Sequence, residues 1–185
     1  MHYCCLVLSD EFPNDEVLRR KLRPFNDEVV YDEDNLEDHR MWFAWDWFQI
    51  GGRYNGMLKL SMKENDDLYE WNYYQKEPRS GRLFRSSMLE NMRKNARGLY
   101  WFEDDFYPTL GGRDGYLNVD AGRIADIINM NDVGCYCFID RQGNGCARDY
   151  HDGDGLHTNE SFEDDLKKAI SDCKDGYICV VDLHD

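Results

Sequence analysis

The sequence predicts an α+β fold, a mostly antiparallel sheet covered by two or three helices, with an inserted middle region. Three observations lead there. Short apolar runs stand near both ends of the chain, at residues 2–8 and 177–183, with a third at 134–139. Two stretches, 14–22 and 160–173, carry apolar residues at helical spacing. Between them, residues 61–115 lose clear periodicity and read as an inserted or irregular region. With 185 residues, 42% of them hydrophobic, the chain has the material for one core and one domain spanning 1–185.

Each element has its own justification. His2-Tyr3-Cys4-Cys5-Leu6-Val7-Leu8 reads as a buried strand bounded by Ser9-Asp10. Asn14 or Asp15 caps a short helix through Val17, Leu18 and Leu22, and Pro24 stops it. Residues 26–38 read as an acidic surface excursion, and residues 54–60, beyond a Gly51-Gly52 break, as a strand. In the middle region Leu83, Phe84, Met88, Leu89 and Met92 are spaced like one helix face. Asp120 is expected to cap a helix whose apolar face is Ile124, Ile127 and Ile128. Residues 134–139 form a strand that turns at Asp140-Arg141-Gln142-Gly143 into a partner. Residues 160–173 form a helix with acids leading and Lys167 and Lys168 following, the order its dipole favours. Residues 177–183 make a final buried strand.

Charge narrows the function. The 22 basic and 37 acidic residues leave a net −15, which argues against unspecific attraction to DNA, RNA or an anionic membrane. A basic protein surface is the complementary partner. One stretch runs the other way: residues 76–97 hold Lys76, Arg79, Arg82, Arg85, Arg93, Lys94 and Arg97 against Glu77 and Glu90, which makes the chain bipolar. Met1 to Leu8 is too short and lacks the basic start to read as a secretory signal, and no apolar run reaches the length of a membrane span. Cys4, Cys5, Cys135, Cys137 and Cys179 sit in apolar, strand-like runs, and neither Cys4-Cys5 nor Cys135-x-Cys137 has the spacer of a zinc knuckle. A reduced, cytoplasmic protein with no disulfide, structural metal or cofactor is the expectation. Oligomeric state is left open.

The most informative stretch is 38–54. It packs Trp42, Trp45 and Trp47 with Phe43 and Phe48, the carboxylate Asp46, and a Gly51-Gly52-Arg53 turn. Just before it stand seven acids, Asp27, Glu28, Asp32, Glu33, Asp34, Glu37 and Asp38, with no Lys or Arg among residues 26–38. An aromatic block behind an acidic run is either a core element beside a solvated loop, or an apolar anchor with a polyanionic rim. On a strand Trp45 and Trp47 share a face. Asp46 and Arg53 are candidates for a buried ion pair closing the turn, and the turn itself is read as chiefly structural, with Gly51 or Gly52 at positive φ. The functional alternative has the glycine N–H groups and Arg53 gripping an anion.

Chemistry-bearing residues are sparse elsewhere. Asp149, His151, Asp152, Asp154 and His157 fall within nine residues but fail the calcium-loop pattern, and a glycine-rich surface turn explains them. Asp182 and His184 share a face of the last strand, which permits an acid–base pair. No serine elbow, phosphate loop or Cys/His nucleophile pattern appears.

The run Trp45-Asp46-Trp47-Phe48-Gln49-Ile50-Gly51-Gly52-Arg53-Tyr54-Asn55-Gly56 resembles a W-D-W-x-x-I-G-G-R-[WY]-x-G core found in phage and prophage proteins. Those proteins also tend to carry D-x-x-G in a strand turn, here Asp140 to Gly143, and V-D-x-H in a last strand, here Val181, Asp182 and His184. With the size and charge, the resemblance is to anti-CRISPR inhibitors of type II effector nucleases. It implies a non-catalytic protein whose acids imitate phosphates. The partner-binding residues would be Asp27, Glu28, Asp32, Glu33, Asp34, Glu37, Asp38, Asp152 and Asp154, with aromatics such as Trp101 as anchors. The motif residues Trp45, Asp46, Trp47, Gly51, Gly52 and Arg53 would hold the scaffold. Two other readings stand beside it: a small metal-dependent or nucleotide-processing enzyme using residues 149–157, and a nucleic-acid binder using residues 76–97.

Overall fold

A computed structural model describes residues 1–11, 13–30, 43–61, 116–152 and 154–185. The expected helix over 83–92, the basic stretch 76–97, Trp42 and most of the acidic run lie outside them.

The first strand, β1 (His2–Ser9), is the centre of the main sheet. Its residues Cys5 to Leu8 have no exposed surface, because the sheet is covered on both faces. The last strand, β10 (Tyr177–His184), runs antiparallel along the whole of β1, from His2↔His184 to Ser9↔Tyr177. On the other side of β1 lies β6 (Cys137–Ile139), parallel to it, then β7 (Gly145–Ala147), antiparallel to β6. Because β1 occupies one side of β10, two short strands share the opposite side. They are β2 (Trp47–Ile50), against residues 181–184, and β5 (Ala121–Arg123), against residues 177–179. The sheet order is β2-β10-β1-β6-β7, with β5 beside β2 on β10. The expected α+β class is the one observed, with a mixed sheet in which β1 and β6 are the parallel pair. Two antiparallel two-stranded sheets stand apart: β3 (Leu58–Ser61) with β4 (Tyr116–Val119), and β8 (Asp149–Asp152) with β9 (Gly155–Thr158).

Helix α1 (Asp15–Leu22) starts where Asn14 Oδ1 accepts the Val17 N–H at 2.9 Å, the cap that local sequence proposed. It buries Val17, Leu18 and Leu22 and passes into a 3-10 turn at Pro24. A four-residue helix, α2 (Asp27–Val30), follows. Helix α3 (Phe162–Asp172) leads with Glu163, Asp164 and Asp165 and buries Phe162, Leu166 and Ala169. The β6–β7 turn is closed by Asp140, whose Oδ1 accepts the N–H groups of Gln142 and Asn144 at 2.9 and 2.8 Å. Among the described residues no helix is long and apolar enough to cross a membrane.

Two expectations fail locally. Asp120 caps no helix: residues 121–123 form β5, and only a 3-10 turn follows at Ile124–Asp126. The reason is tertiary. Val180 and Ile124 donate their N–H groups to Asp120 O and Gly176 O, at 2.7 and 3.1 Å, so the segment is spent on the edge of β10. Ile128, meant for the apolar face, is 58% exposed. The strand expected over 54–60 is shorter, because Gly51 and Gly52 both adopt positive φ, 66° and 50°, and turn the chain through Tyr54 before β3 begins.

Candidate functional site

The register of three strands builds a site at one end of the sheet. His2 on β1 stands opposite His184 on β10, which stands opposite Trp47 on β2. Residues directly paired across strands point to one face, so the three rings form a row. His2 and His184 meet edge-on with centroids 4.8 Å apart, and Trp47 stacks on His184 at 4.8 Å with 14° between planes. The next row inward is Cys4, Asp182 and Gln49.

Two carboxylates hold the imidazoles. Asp182 is buried; its Oδ1 lies 2.9 Å from His2 Nδ1, and its Oδ2 accepts the Arg53 N–H at 2.9 Å. Asp46 lies at the surface; its Oδ1 is 3.0 Å from His184 Nδ1 and accepts the Trp47 N–H at 2.7 Å. The hydrogen bond with His184 and the Trp47 N–H hold the Asp46 carboxyl below its usual range, so it stays ionised. In both pairs the carboxylate engages Nδ1, an arrangement that orients an imidazole and leaves Nε2 as its working nitrogen.

The Gly-Gly-Arg turn folds over this row and meets a third carboxylate. A Cβ on Gly51 would fall 2.5 Å from the Asp120 carboxyl, and one on Gly52 would overlap the Asp182 carboxylate. Asp120 is buried, accepts the Gly56 N–H on Oδ1 at 2.6 Å, and is pushed up to about 6 by burial, an effect that the Gly56 N–H partly offsets. Tyr54 Oη donates to His2 O at 3.2 Å and closes the other side. Thus the two motif pieces, Trp45 to Tyr54 and Val181 to His184, are one site.

Several pairings differ from those expected. Asp46 and Arg53 do not pair: Asp46, just before β2, lies beside His184, while the turn brings the Arg53 backbone N–H to Asp182 and leaves the Arg53 side chain exposed. Trp45 and Trp47 do not share a strand face, because Trp45 precedes β2. It is buried, with Nε1–H donated to Leu22 O at 3.0 Å, whereas Trp47 is 43% exposed. Asp182 and His184 share a face but take separate partners, His2 and Asp46. Sequence reasoning placed His2 in a strand and Asp120 at a helix cap, and read neither as a site residue. The one usable signal for His2 is that antiparallel pairing of the first and last strands sets residue 2 opposite residue 184.

Of the acids expected to bind a partner, Asp27 and Glu28 begin α2, where Asp27 Oδ1 accepts the Glu28 N–H at 2.7 Å. Asp32, Glu33, Asp34, Glu37, Asp38 and Trp101 lie outside the described residues. Asp152 ends β8, and Asp154 is exposed in the following turn. The segment 149–157 is thus a hairpin, in which Tyr150 stacks on His157 at 5.4 Å and Thr158 Oγ1 donates to Asp149 Oδ1 at 3.0 Å. Among the described residues no group of three or more His, Cys, Asp or Glu is placed to hold a metal ion.

Burial makes five of the thiols poor nucleophiles. Burial pushes Cys4 up to about 12 and Cys146 up to about 11, and drives Cys135, Cys137 and Cys179 well upward. The chain matches no protein-family model, no curated protein and no solved structure with which it was compared.

Proposed function

We propose that the protein is a non-catalytic inhibitor that occupies a basic, nucleic-acid-binding surface of another protein. The target is a type II CRISPR effector nuclease, met in the cytoplasm of the bacterium a phage infects. The β8–β9 hairpin carries the reading. Leu156 stands 73% exposed on it, and every Asp, Glu, Lys or Arg from Asp149 to Asp165 is an acid: Asp149, Asp152, Asp154, Glu160, Glu163, Asp164 and Asp165. An exposed leucine within carboxylates supplies an apolar anchor and an anionic rim. The lysines and arginines that hold phosphates in a nuclease channel would pair with that rim instead.

Inhibition of DNA cleavage by purified type II effector nucleases tests this. Inhibition is expected to weaken steeply with salt, since exposed charges are screened beyond about 8 Å at physiological ionic strength. A variant combining Leu156→Ser, Asp154→Asn, Glu160→Gln and Asp164→Asn should lose it while remaining folded. So should one neutralising Asp32, Glu33, Asp34, Glu37 and Asp38. Undiminished inhibition by both variants, or none by the natural protein across the panel, refutes the reading.

One observation favours an enzyme instead: His2 backed by the buried carboxylate of Asp182, at 2.9 Å. An imidazole so oriented suits general acid–base work. Turnover of model phosphate or carboxyl esters that disappears in His2→Gln would move the protein to that class; no turnover by the natural protein removes the alternative.

A further inference from the structure

The outer edge of the motif presents a second feature that the hairpin does not use. Trp47 is 43% exposed, yet its indole is held: one face stacks on His184, and the His2 ring meets it edge-on at 5.8 Å. Asp46 Oδ1 accepts the Trp47 backbone N–H and also engages His184, on which the indole stacks, so the ring and the carboxylate keep a fixed relation. The Asp46 side chain is itself 48% exposed. A large aromatic ring left half in water, immobilised from behind and flanked by an ionised carboxylate, is a preorganised surface for something planar and cationic.

We infer that Trp47 and Asp46 receive an arginine side chain of the basic partner, the guanidinium stacking on the outward face of the indole and pairing with the carboxylate. The inference rests on the basic-surface reading above and names the group that this part of the surface takes. The alternatives use only half of the site. A neutral base would stack on Trp47 and leave the Asp46 charge unmatched. A lysine ammonium would match the charge but is a strongly hydrated point without a face to stack. A phosphate would be repelled by Asp46. The protein makes the same clamp internally: the Arg148 guanidinium lies 4.7 Å over the Phe162 ring while Nη2 pairs with Glu163 Oε1 at 2.7 Å.

The test uses the full chain and two probes, a nine-residue arginine peptide and a nine-residue lysine peptide, titrated calorimetrically at physiological salt. The arginine peptide should bind about two- to fivefold more tightly, the gain of one cation–π contact at an exposed ring. Trp47→Leu should abolish that preference without changing affinity for the lysine peptide. In the natural protein the Trp47 indole N–H resonance should shift with the arginine peptide and not with the lysine peptide, a readout independent of how well the variant folds. Equal binding of both peptides, or a preference that survives Trp47→Leu, overturns the inference and leaves the basic-surface reading standing. Binding of neither peptide overturns both. Adenosine moving the Trp47 resonance more than the arginine peptide would assign the platform to a planar base and overturn the inference as well.

Discussion

Replacing Asp120 by Asn is expected to stabilise the protein at neutral pH, although it removes a hydrogen-bonded charge. Asp120 is 3% exposed and wedged against Gly51, and its carboxylate accepts the Gly56 N–H. Burial raises its pKa from 3.8 to about 6. Between those values the folded state binds the proton more tightly than the unfolded chain, so stability falls as pH rises through the window. At about 1.4 kcal/mol per pH unit, the ionised carboxylate costs about 3 kcal/mol at pH 7.5 relative to strong acid. About 2.5 kcal/mol of that accrues above pH 4. An Asn side chain keeps an acceptor for Gly56 but turns an amide N–H₂ toward Gly51, a loss on the order of 1 kcal/mol. The variant should therefore be slightly less stable than the natural protein at pH 4, and about 1–2 kcal/mol more stable at pH 7.5. Urea unfolding of both proteins across that range, followed by far-UV circular dichroism, gives the difference directly and cancels the other titrating groups. A difference that does not change with pH refutes the placement of an ionisable, poorly compensated carboxylate behind the turn.

Other outcomes follow from the same geometry. Gly52→Ala puts a Cβ into the Asp182 carboxylate at a φ of 50°, and should cost on the order of 2 kcal/mol or more in thermal unfolding; an unchanged melting temperature would refute the close approach. Trp45→Phe removes the N–H that satisfies Leu22 O and should cost about 1–3 kcal/mol by chemical denaturation, while Trp47→Phe should stay within about 0.5 kcal/mol. Asn14→Ala should cost about 1 kcal/mol through the lost cap on Val17, read by the same measurement. His2→Ala leaves the buried Asp182 without its imidazole partner and should destabilise the protein by more than His184→Ala, whose partner Asp46 is open to water; the reverse order would refute the difference in burial between the two pairs.

How far the sequence reaches depends on how local the signal is. β1, β6 and β10 are legible because each is an apolar run too short for a helix and bounded by turn residues. α1 and α3 are legible from spacing, caps and charge order. The segment 120–128 is misread because Ile124, Ile127 and Ile128 have helical spacing, while the hydrogen bonds that decide the matter come from Gly176 and Val180, more than fifty residues away. The site fails to be legible for the same reason, more severely. His2 and Asp182 are 180 residues apart and Asp46 and His184 are 138 apart, so no window of sequence contains either pair. The Gly-Gly turn is recognisable as a turn from its composition. What it closes upon, a carboxylate under each glycine, is set by β5 and β10.

The period of two along β2 divides the motif into parts that different measurements can reach. Phe48 and Ile50 point toward the core, with Trp45 meeting Phe48 edge-on at 5.2 Å, while Trp47 and Gln49 point to the row of histidines and are exposed. Trp45, Gly51 and Gly52 therefore report on folding, because each is locked against Leu22, Asp120 or Asp182. Trp47 and Asp46 report on what the surface meets, because neither is needed to fill the core. The adjacency of the two sets also bears on affinity. A turn pinned by two buried carboxylates holds β2 against β10, and β2 holds the indole. An arginine arriving at Trp47 then finds its platform already ordered, and the conformational entropy of immobilising a tryptophan is not charged to binding. On this account, loosening the turn by Gly52→Ala should weaken the arginine peptide more than the lysine peptide even at temperatures where the variant is folded. The stacking contact depends on the order behind it, whereas the long-range attraction of a −15 protein for a polycation does not.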